Sequence, residues 1–168
     1  GRFIAACLDW DNENEKWLRP TAIEVSSWDK SWAYPTTVDE NSYSTDGTEL
    51  SGFAVNGTEI RGMTVRNQDL YVFLDNEYFL VRGDNPISGW RFIRIDSVGL
   101  KSARTLADCR AGIIGHDGHH FQMYTSAGAR PISYGVIDSS LIDWDKAHGA
   151  IYAGDKYRFF CTLTTGDY

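Results

Sequence analysis

Three stretches of this chain have the pattern of a β-hairpin, and their spacing restricts the fold more than any other feature. Each places apolar and aromatic residues on both sides of a dipeptide that adopts positive φ at little cost: Asp75-Asn76, Asp117-Gly118 and Gly154-Asp155. Such dipeptides close two-residue turns between antiparallel strands. Superposing the first two turns gives an offset of 42 residues, and superposing Asn76 on Asp155 gives 79. The period is therefore near forty, which is typical of a β-propeller blade.

The composition also favours strands over helices. The 168 residues include Trp 6, Tyr 9 and Phe 8, and helix formers do not recur at helical spacing over three turns. We therefore expect an all-β fold of β-propeller-like repeats, built as antiparallel four-stranded blades. A closed propeller needs roughly four to eight blades, and at about forty residues each the chain supplies three to four. The prediction is an incomplete propeller, either part of a longer polypeptide or completed by other copies or other chains.

The blade interpretation divides the chain into four parts. Residues 1–49 form a partial blade with a Trp-rich loop, 50–97 and 98–142 form one blade each, and 143–168 form a second partial blade. The clearest blade has strands predicted at residues 60–65, 71–74, 78–81 and 90–95. In the next blade we expect a first strand at 105–109, a strand beginning at Ala129 that Pro131 restricts to a sheet edge, and the only plausible helical turn at 138–148.

Charge and cysteine content exclude several functional classes. The formal net charge of −7 and the absence of Lys/Arg runs argue against a groove that binds nucleic-acid phosphates. No apolar run is long enough to span a bilayer, so we expect no membrane association. Three cysteines without CxxC spacing predict buried thiols in strands rather than zinc ligands. A disulfide between Cys7 and Cys161 remains an alternative.

The Trp-rich loop is the candidate binding element. Trp28, Trp32 and Tyr34 lie in an irregular stretch between residues 26 and 47. Aromatic side chains in a long loop either stack on sugar rings or anchor a partner subunit. The alternative is that Trp28 and Trp32 close one end of the local core.

Other polar clusters predict no catalysis, no cofactor and no metal site. The acidic segment 9–15 lacks the glycine that a calcium loop needs in order to turn. His119 and His120 are consecutive strand residues that should point to opposite faces, so at most two of the imidazoles of His116, His119 and His120 can converge without a distant ligand. Hydrolysis by paired carboxylates would need acidic residues in a recognisable motif. None of the candidates belongs to one: Asp9, Asp46, Asp96 and Asp138. We therefore expect a protein that is not an enzyme.

The order of several segments resembles the propeller-bearing nozzle or hub proteins in the tails of short-tailed bacteriophages. The resemblance covers residues 50–161, about two thirds of the chain, and it is carried by Thr58-Glu-Ile-Arg-Gly62-Met63, Leu70-Tyr-Val-Phe73, Arg82-Gly-Asp84, Trp90-Arg-Phe92, Val98-Gly-Leu-Lys-Ser102, Gly112 to Gly118, and Pro131-Ile-Ser133. Gly1-Arg-Phe-Ile4 and Val25-Ser-Ser-Trp28 match the family pattern only approximately, so the particular tail component is not assigned.

This resemblance implies a virion structural role without catalytic residues. Copies would pack as a homo-oligomeric ring around the DNA channel, in contact with other tail or portal-adaptor proteins, and would assemble in the host cytoplasm. DNA would pass without being bound specifically, because an acidic channel wall does not retain phosphates. The alternative function is a carbohydrate-binding or carbohydrate-cleaving propeller that acts on host-surface glycans, and the Trp-rich loop motivates it. A general interaction scaffold is a third alternative, because propellers host many functions.

Overall fold

The computed structural model describes the chain at residues 4–11, 13, 16–25, 47–49, 59–83, 91–133, 138–152 and 156–164. Within these residues the regular elements are thirteen β-strands and two short 3-10 turns, Ala103–Thr105 and Ser139–Leu141. Neither of these helical turns is long and apolar enough to cross a membrane. Trp28, Trp32, Tyr34, Gly154 and Asp155 lie outside the described residues.

The strands form four antiparallel sheets, each a simple meander in chain order. Sheet A contains β1 (Ile4–Asp11), β2 (Lys16–Val25) and β3 (Gly47–Glu49). Sheet B contains β4 (Ile60–Arg66), β5 (Asp69–Leu74), β6 (Tyr78–Arg82) and β7 (Arg91–Asp96). Sheet C contains β8 (Ala107–Cys109), β9 (Gly112–His116), β10 (Phe121–Thr125) and β11 (Gly128–Pro131). Sheet D contains β12 (Ile142–Tyr152) and β13 (Lys156–Leu163).

The prediction of antiparallel four-stranded sheets is confirmed by sheets B and C. The four strands predicted for residues 60–95 are present with ends that differ by one or two residues. β11 lies at the edge of sheet C, as predicted from Pro131. At an edge, the absence of a backbone N–H on proline interrupts no hydrogen bonding between strands. The predicted helical turn at 138–148 is wrong beyond its first residues, because the 3-10 turn ends at Leu141 and the chain continues as β12.

A spacing of 43 residues relates sheets B, C and D. Arg66 and Cys109 end the first strands of sheets B and C and lie 43 positions apart. Tyr152, which ends β12, follows Cys109 by the same interval. The third predicted hairpin therefore corresponds to β4–β5 and β8–β9, not to the central hairpins β5–β6 and β9–β10. Superposing it on Asn76 was wrong, because the turn dipeptides used for the match are common to hairpins in general.

Two of the hairpin turns differ from the sequence prediction. The β4–β5 turn is a two-residue turn in which Asn67 (φ 52) and Gln68 (φ 71) both have positive φ, the type I′ pattern that the sequence analysis missed. Asp75 and Asn76 occupy the centre of the β5–β6 turn, since the Leu74 N–H donates to the Glu77 carbonyl (2.9 Å). Neither of these two residues has positive φ, so the prediction that this dipeptide closes the turn with positive φ is wrong.

The β9–β10 turn is displaced by one residue from its predicted position. The Asp117 N–H donates to the His120 carbonyl (3.1 Å), which places Gly118 and His119 at the turn centre. Gly118 has φ +106, a conformation that side chains with a Cβ rarely adopt. Asp117 instead closes the turn through its carboxylate.

Sheet B is buried on both faces, and one of these faces packs against sheet C. One face supplies a cluster that also contacts Met63 and Phe92, namely Ile60, Leu70, Val72, Leu74, Phe79 and Val81. The opposite face packs directly on sheet C in a second cluster, made of Tyr71, Phe73, Tyr78, Leu80, Leu100, Ile113 and Tyr124. Because strand neighbours point to opposite faces, the continuous apolar runs of β5 and β6 require a layer on each side.

Sheet C likewise has sheet D on its other face. His116 and Phe121 of sheet C contact Phe159 of β13, with ring centroids 6.2 and 4.9 Å from it. The hydroxyl of Tyr157 donates to the Thr105 carbonyl (2.7 Å) just before β8. Sheets B, C and D therefore stack face to face in chain order.

The segment 97–102 connects sheets B and C and fixes their relative position. The Leu100 N–H donates to the Leu74 carbonyl (2.8 Å), and the Lys101 N–H donates to the His116 carbonyl (2.7 Å). The buried hydroxyl of Tyr124 donates to the Gly99 carbonyl (2.6 Å). This segment thus bonds to both central hairpins at one end of the stack.

The cysteines divide between buried and exposed positions. Cys109 is buried, as predicted, and its thiol contacts the Gly112 carbonyl (3.0 Å). Cys161 is exposed on β13, so the prediction that it is a buried thiol was wrong. Among the described residues sheet D has two strands, and most positions of β13 are exposed.

Candidate functional site

A cleft of about 490 Å³ lies where the central turns of sheets B and C meet the segments that lead into β8 and β12. We call it the turn-end cleft. Its lining residues are mostly polar and comprise Arg61, Asp75, Lys101, Asp117, Gly118, His119, Ser139, Ser140, Ile142 and Trp144.

The 43-residue repeat explains why predicted turn residues line this cleft. Asp75 belongs to the central turn of sheet B, and Asp117 and Gly118 belong to the central turn of sheet C. Equivalent turns of neighbouring sheets lie at the same end of the stack. From the sequence these residues are predicted only as separate structural turns, and nothing in it places them in one site.

The other cleft residues were missed. Arg61 lies at the start of β4, and Lys101 lies in the connection before β8. Ser139 and Ser140 belong to the 3-10 turn before β12, and Trp144 lies near the start of β12. A correct repeat alignment would have provided the signal, because these are the segments that lead into the first strand of each repeat. The expected binding aromatics of the Trp-rich loop lie outside the described residues.

Asp117 organises its own loop. Its Oδ1 accepts hydrogen bonds from the His119 and His120 N–H groups (2.7 and 2.6 Å), and its Oδ2 accepts one from the Gln122 amide (2.7 Å). Burial alone would raise the pKa of Asp117, but these hydrogen bonds outweigh it and lower the pKa below the ordinary value. The carboxylate is therefore ionised at neutral pH, and both of its oxygens are hydrogen-bonded within its own hairpin.

His116 lies beneath the cleft as a buried, neutral side chain. It is 1 % exposed, and its Nδ1 accepts a hydrogen bond from the Gly118 N–H (2.9 Å). Its ring packs against Trp144 and Phe121, with centroids 4.4 and 4.7 Å away. Burial lowers the pKa of His116 to about 4, against a smaller opposing effect of the Asp117 charge. Because Nδ1 accepts, the ring proton lies on Nε2 at neutral pH.

The three histidines of this hairpin do not face a common point. His116 is buried below the loop, whereas His119 is exposed on the cleft wall. Among the described residues, no group of three or more His, Cys, Asp or Glu side chains is arranged to hold a metal ion.

The cleft wall carries charges of both signs and one aromatic ring. Arg61 forms an ion pair with Glu59, and its buried Nε has no hydrogen-bond partner within the described part of the chain. Lys101 is exposed. The half-buried Trp144 donates from Nε1 to the Ser139 carbonyl (3.2 Å). This arrangement can hold a polar ligand through hydrogen bonds.

The hydroxyl and carboxyl groups near the cleft have structural partners. Ser140 donates from its hydroxyl to Asp138 Oδ1 (2.7 Å), and this hydrogen bond is the main cause of the lowered pKa of Asp138. Asp96 accepts from the Ser97 and Ala129 N–H groups (2.7 and 2.9 Å) and thereby connects sheets B and C. Both carboxylates therefore stabilise local structure.

Arg66 connects neighbouring repeats at the other end of the first strands. Its guanidinium donates to the carbonyls of Cys109 (2.6 Å) and Arg110 (2.9 Å) and forms an ion pair with Asp108. A planar guanidinium suits this role because it bonds several acceptors at once. The contact links the β4–β5 and β8–β9 turns.

No protein-family model matches the chain, and neither a curated protein nor a solved structure matches it.

Proposed function

We propose that this chain is a structural component of a bacteriophage tail, a nozzle or hub subunit whose propeller-like sheets surround the channel through which DNA passes. It would be located in the virion tail and would assemble in the host cytoplasm with other tail or portal-adaptor proteins. The observation that carries the proposal is the face-to-face stacking of sheets B, C and D at a 43-residue interval.

This stacking is what a ring of blades requires. In a propeller, each four-stranded sheet packs its two faces against its two neighbours, so the inner sheets are apolar on both sides. Sheet B has this property, with Val72 and Phe73 fully buried on opposite faces. Sheet D repeats the first hairpin of sheets B and C and packs on sheet C, which supports a shared blade unit.

The charge of the chain supports a passive channel wall. With a formal net charge of −7, the protein would repel phosphates and would not retain DNA during its passage. At the turn-end cleft the Asp117 carboxylate accepts hydrogen bonds within its own hairpin, which is consistent with a scaffold role.

The test is the assembly state of the protein purified from its source, measured by native mass spectrometry and negative-stain electron microscopy. We expect ring-shaped multimers with a central channel and co-purification with virion proteins. A monomer at all concentrations, free of other virion proteins, would contradict the proposal.

A second candidate function is glycan binding at the turn-end cleft, and the presence of Trp144, Lys101 and Asp75 in its lining favours it. Aromatic faces and charged hydrogen-bonding groups together suit sugar rings. A glycan array with the wild-type protein and the Lys101→Ala and Asp75→Asn variants tests it. Binding lost in both variants, but retained in Lys156→Ala on β13, would support this function.

A further inference from the structure

The edge of β13 differs from the equivalent edges in the other repeats. The second strands of sheets B and C, β5 and β9, each pair with a strand on both sides. β13 is the second strand of sheet D by the 43-residue spacing, yet among the described residues it pairs only with β12. Within the described part of the chain no strand lies along its other edge, where the backbone N–H and C=O groups can pair with an added strand.

The β12–β13 hairpin also exposes large apolar side chains. Tyr152, Phe160 and Leu163 are 54, 49 and 43 % exposed. A two-stranded sheet is only marginally stable in water, and three or more strands are usually needed. The hairpin therefore has both the open edge and the apolar surface of an incomplete sheet.

We propose that β13 pairs antiparallel with β1 of a second copy of this chain, so that copies join head to tail. The inference rests on the proposed ring assembly and identifies its contact. β1 is one of several edge strands, since it pairs only with β2 within the described structure, and its length, charge pattern and apolar alternation match those of β13. β1 and β13 have eight residues each.

One register brings opposite charges together along this pair. With Ile4 opposite Leu163, Asp9 lies opposite Arg158 and Asp11 lies opposite Lys156. Cross-strand pairs of opposite charge stabilise antiparallel sheets, whereas like charges destabilise them. The charge pattern therefore favours an antiparallel orientation in which the end of β1 lies beside the start of β13.

The alternation of apolar residues agrees with this register and excludes a slip of one residue. In β1, every second residue from Ile4 to Trp10 is apolar. In the proposed register these residues continue the face of β13 that carries Tyr157 and Phe159, which pack toward sheet C. A slip of one residue would move Asp9 and Asp11 onto that aromatic face, because the side-chain period of a strand is two.

The ladder between β1 and β2 leaves β1 regular enough for this pairing. Ala6 and Leu8 pair with Ile23 and Arg19, so the extra residues of the irregularity lie in β2. The β1–β2 hairpin of the partner would then supply the third and fourth strands of sheet D. Because the contact joins two different surfaces, it generates a ring when the rotation closes.

Disulfide cross-linking tests the register. Ala6 lies opposite the exposed Cys161 in the proposed pair, so the Ala6→Cys variant, made in a Cys7→Ser background of the full chain, places two thiols face to face. Mild oxidation should give a ladder of covalently linked copies on non-reducing gels, with the 6–161 bond identified by mass spectrometry. The matched control is Ala5→Cys in the same background, which places its thiol on the opposite face and should not form the ladder.

Charge exchange provides a second test that does not depend on oxidation. Lys156→Glu should weaken self-association severalfold in sedimentation measurements, and adding Asp11→Lys should restore it. Equal association of the single and double variants would overturn the proposed register. Multimers without the 6–161 bond would overturn this inference but leave the ring assembly intact, whereas monomers throughout would overturn both. A 6–161 bond confined to single chains would show that β1 of the same chain occupies the edge, and would also overturn the inference.

Discussion

Acidification from pH 6.5 to pH 4 should destabilise the fold through the buried imidazole of His116. This side chain is 1 % exposed and uses Nδ1 to accept the Gly118 N–H. Protonation would place a charge among Trp144, Phe121 and Phe159 and would replace the acceptor by a donor. Folding therefore favours the neutral ring.

The sign and size follow from the two protonation equilibria. The pKa of His116 falls from 6.5 to about 4 on folding, so between these pH values the unfolded chain binds a proton that the folded chain does not. The contribution of neutral His116 to the free energy of unfolding is complete above pH 6.5. It decreases as pH falls toward 4, by about 3 kcal/mol in all. Below the folded-state pKa both states are protonated, and this contribution changes no further.

Urea unfolding followed by tryptophan fluorescence at several pH values from 7 to 4 measures the effect. The His116→Asn variant keeps an acceptor near the position of Nδ1 but does not titrate in this range. It should be less stable at pH 7, because the ring contacts are lost, and its stability should depend less on pH. His119→Asn, at an exposed position, should keep the wild-type slope. Equal slopes for wild type and His116→Asn would refute the argument.

Three further substitutions test the connections at the cleft end of the stack by thermal and urea unfolding. Gly118→Val should cost about 1–3 kcal/mol, because φ is +106 at this position, while Ala127→Val, at an exposed turn position without positive φ, should cost little; equal effects would disprove the assigned backbone conformation. Gly99→Ala should cost about 3 kcal/mol, because a Cβ there would overlap the backbone at Asp75; an unchanged melting temperature would contradict this close approach. Tyr124→Phe should cost about 1–3 kcal/mol by leaving the Gly99 carbonyl unpaired, and no loss would show that the hydroxyl bond does not contribute.

The strands of sheets B and C could be predicted because their sequences combine alternation with dense apolar residues. In β7, Phe92 and Ile95 are partly buried on opposite faces of sheet B. The turn conformations were less predictable, because a carboxylate that bonds nearby N–H groups can move the turn centre. Asp117 has this effect on Gly118 and His119.

The candidate site was only partly accessible from the sequence. Asp75, Asp117 and Gly118 were identified as turn residues, but Lys101 and Trp144 carry no local pattern that marks them as neighbours of those turns. Their proximity depends on the connection of residues 97–102, which bonds to both hairpins, and on the packing of β12 against sheet C. Such contacts between distant segments leave no trace in local periodicity.

The sequence by itself determined the secondary structure and the repeating character of this protein, because apolar alternation and turn chemistry act over a few residues at a time. The tertiary structure decided the repeat length of 43 residues, the correspondence of the third hairpin, and the order in which sheets B, C and D pack. It also decided that His116 is buried and Cys161 is exposed. These properties depend on which sheet faces lie against each other, and the physical reason is that burial arises from contacts between residues far apart in the chain.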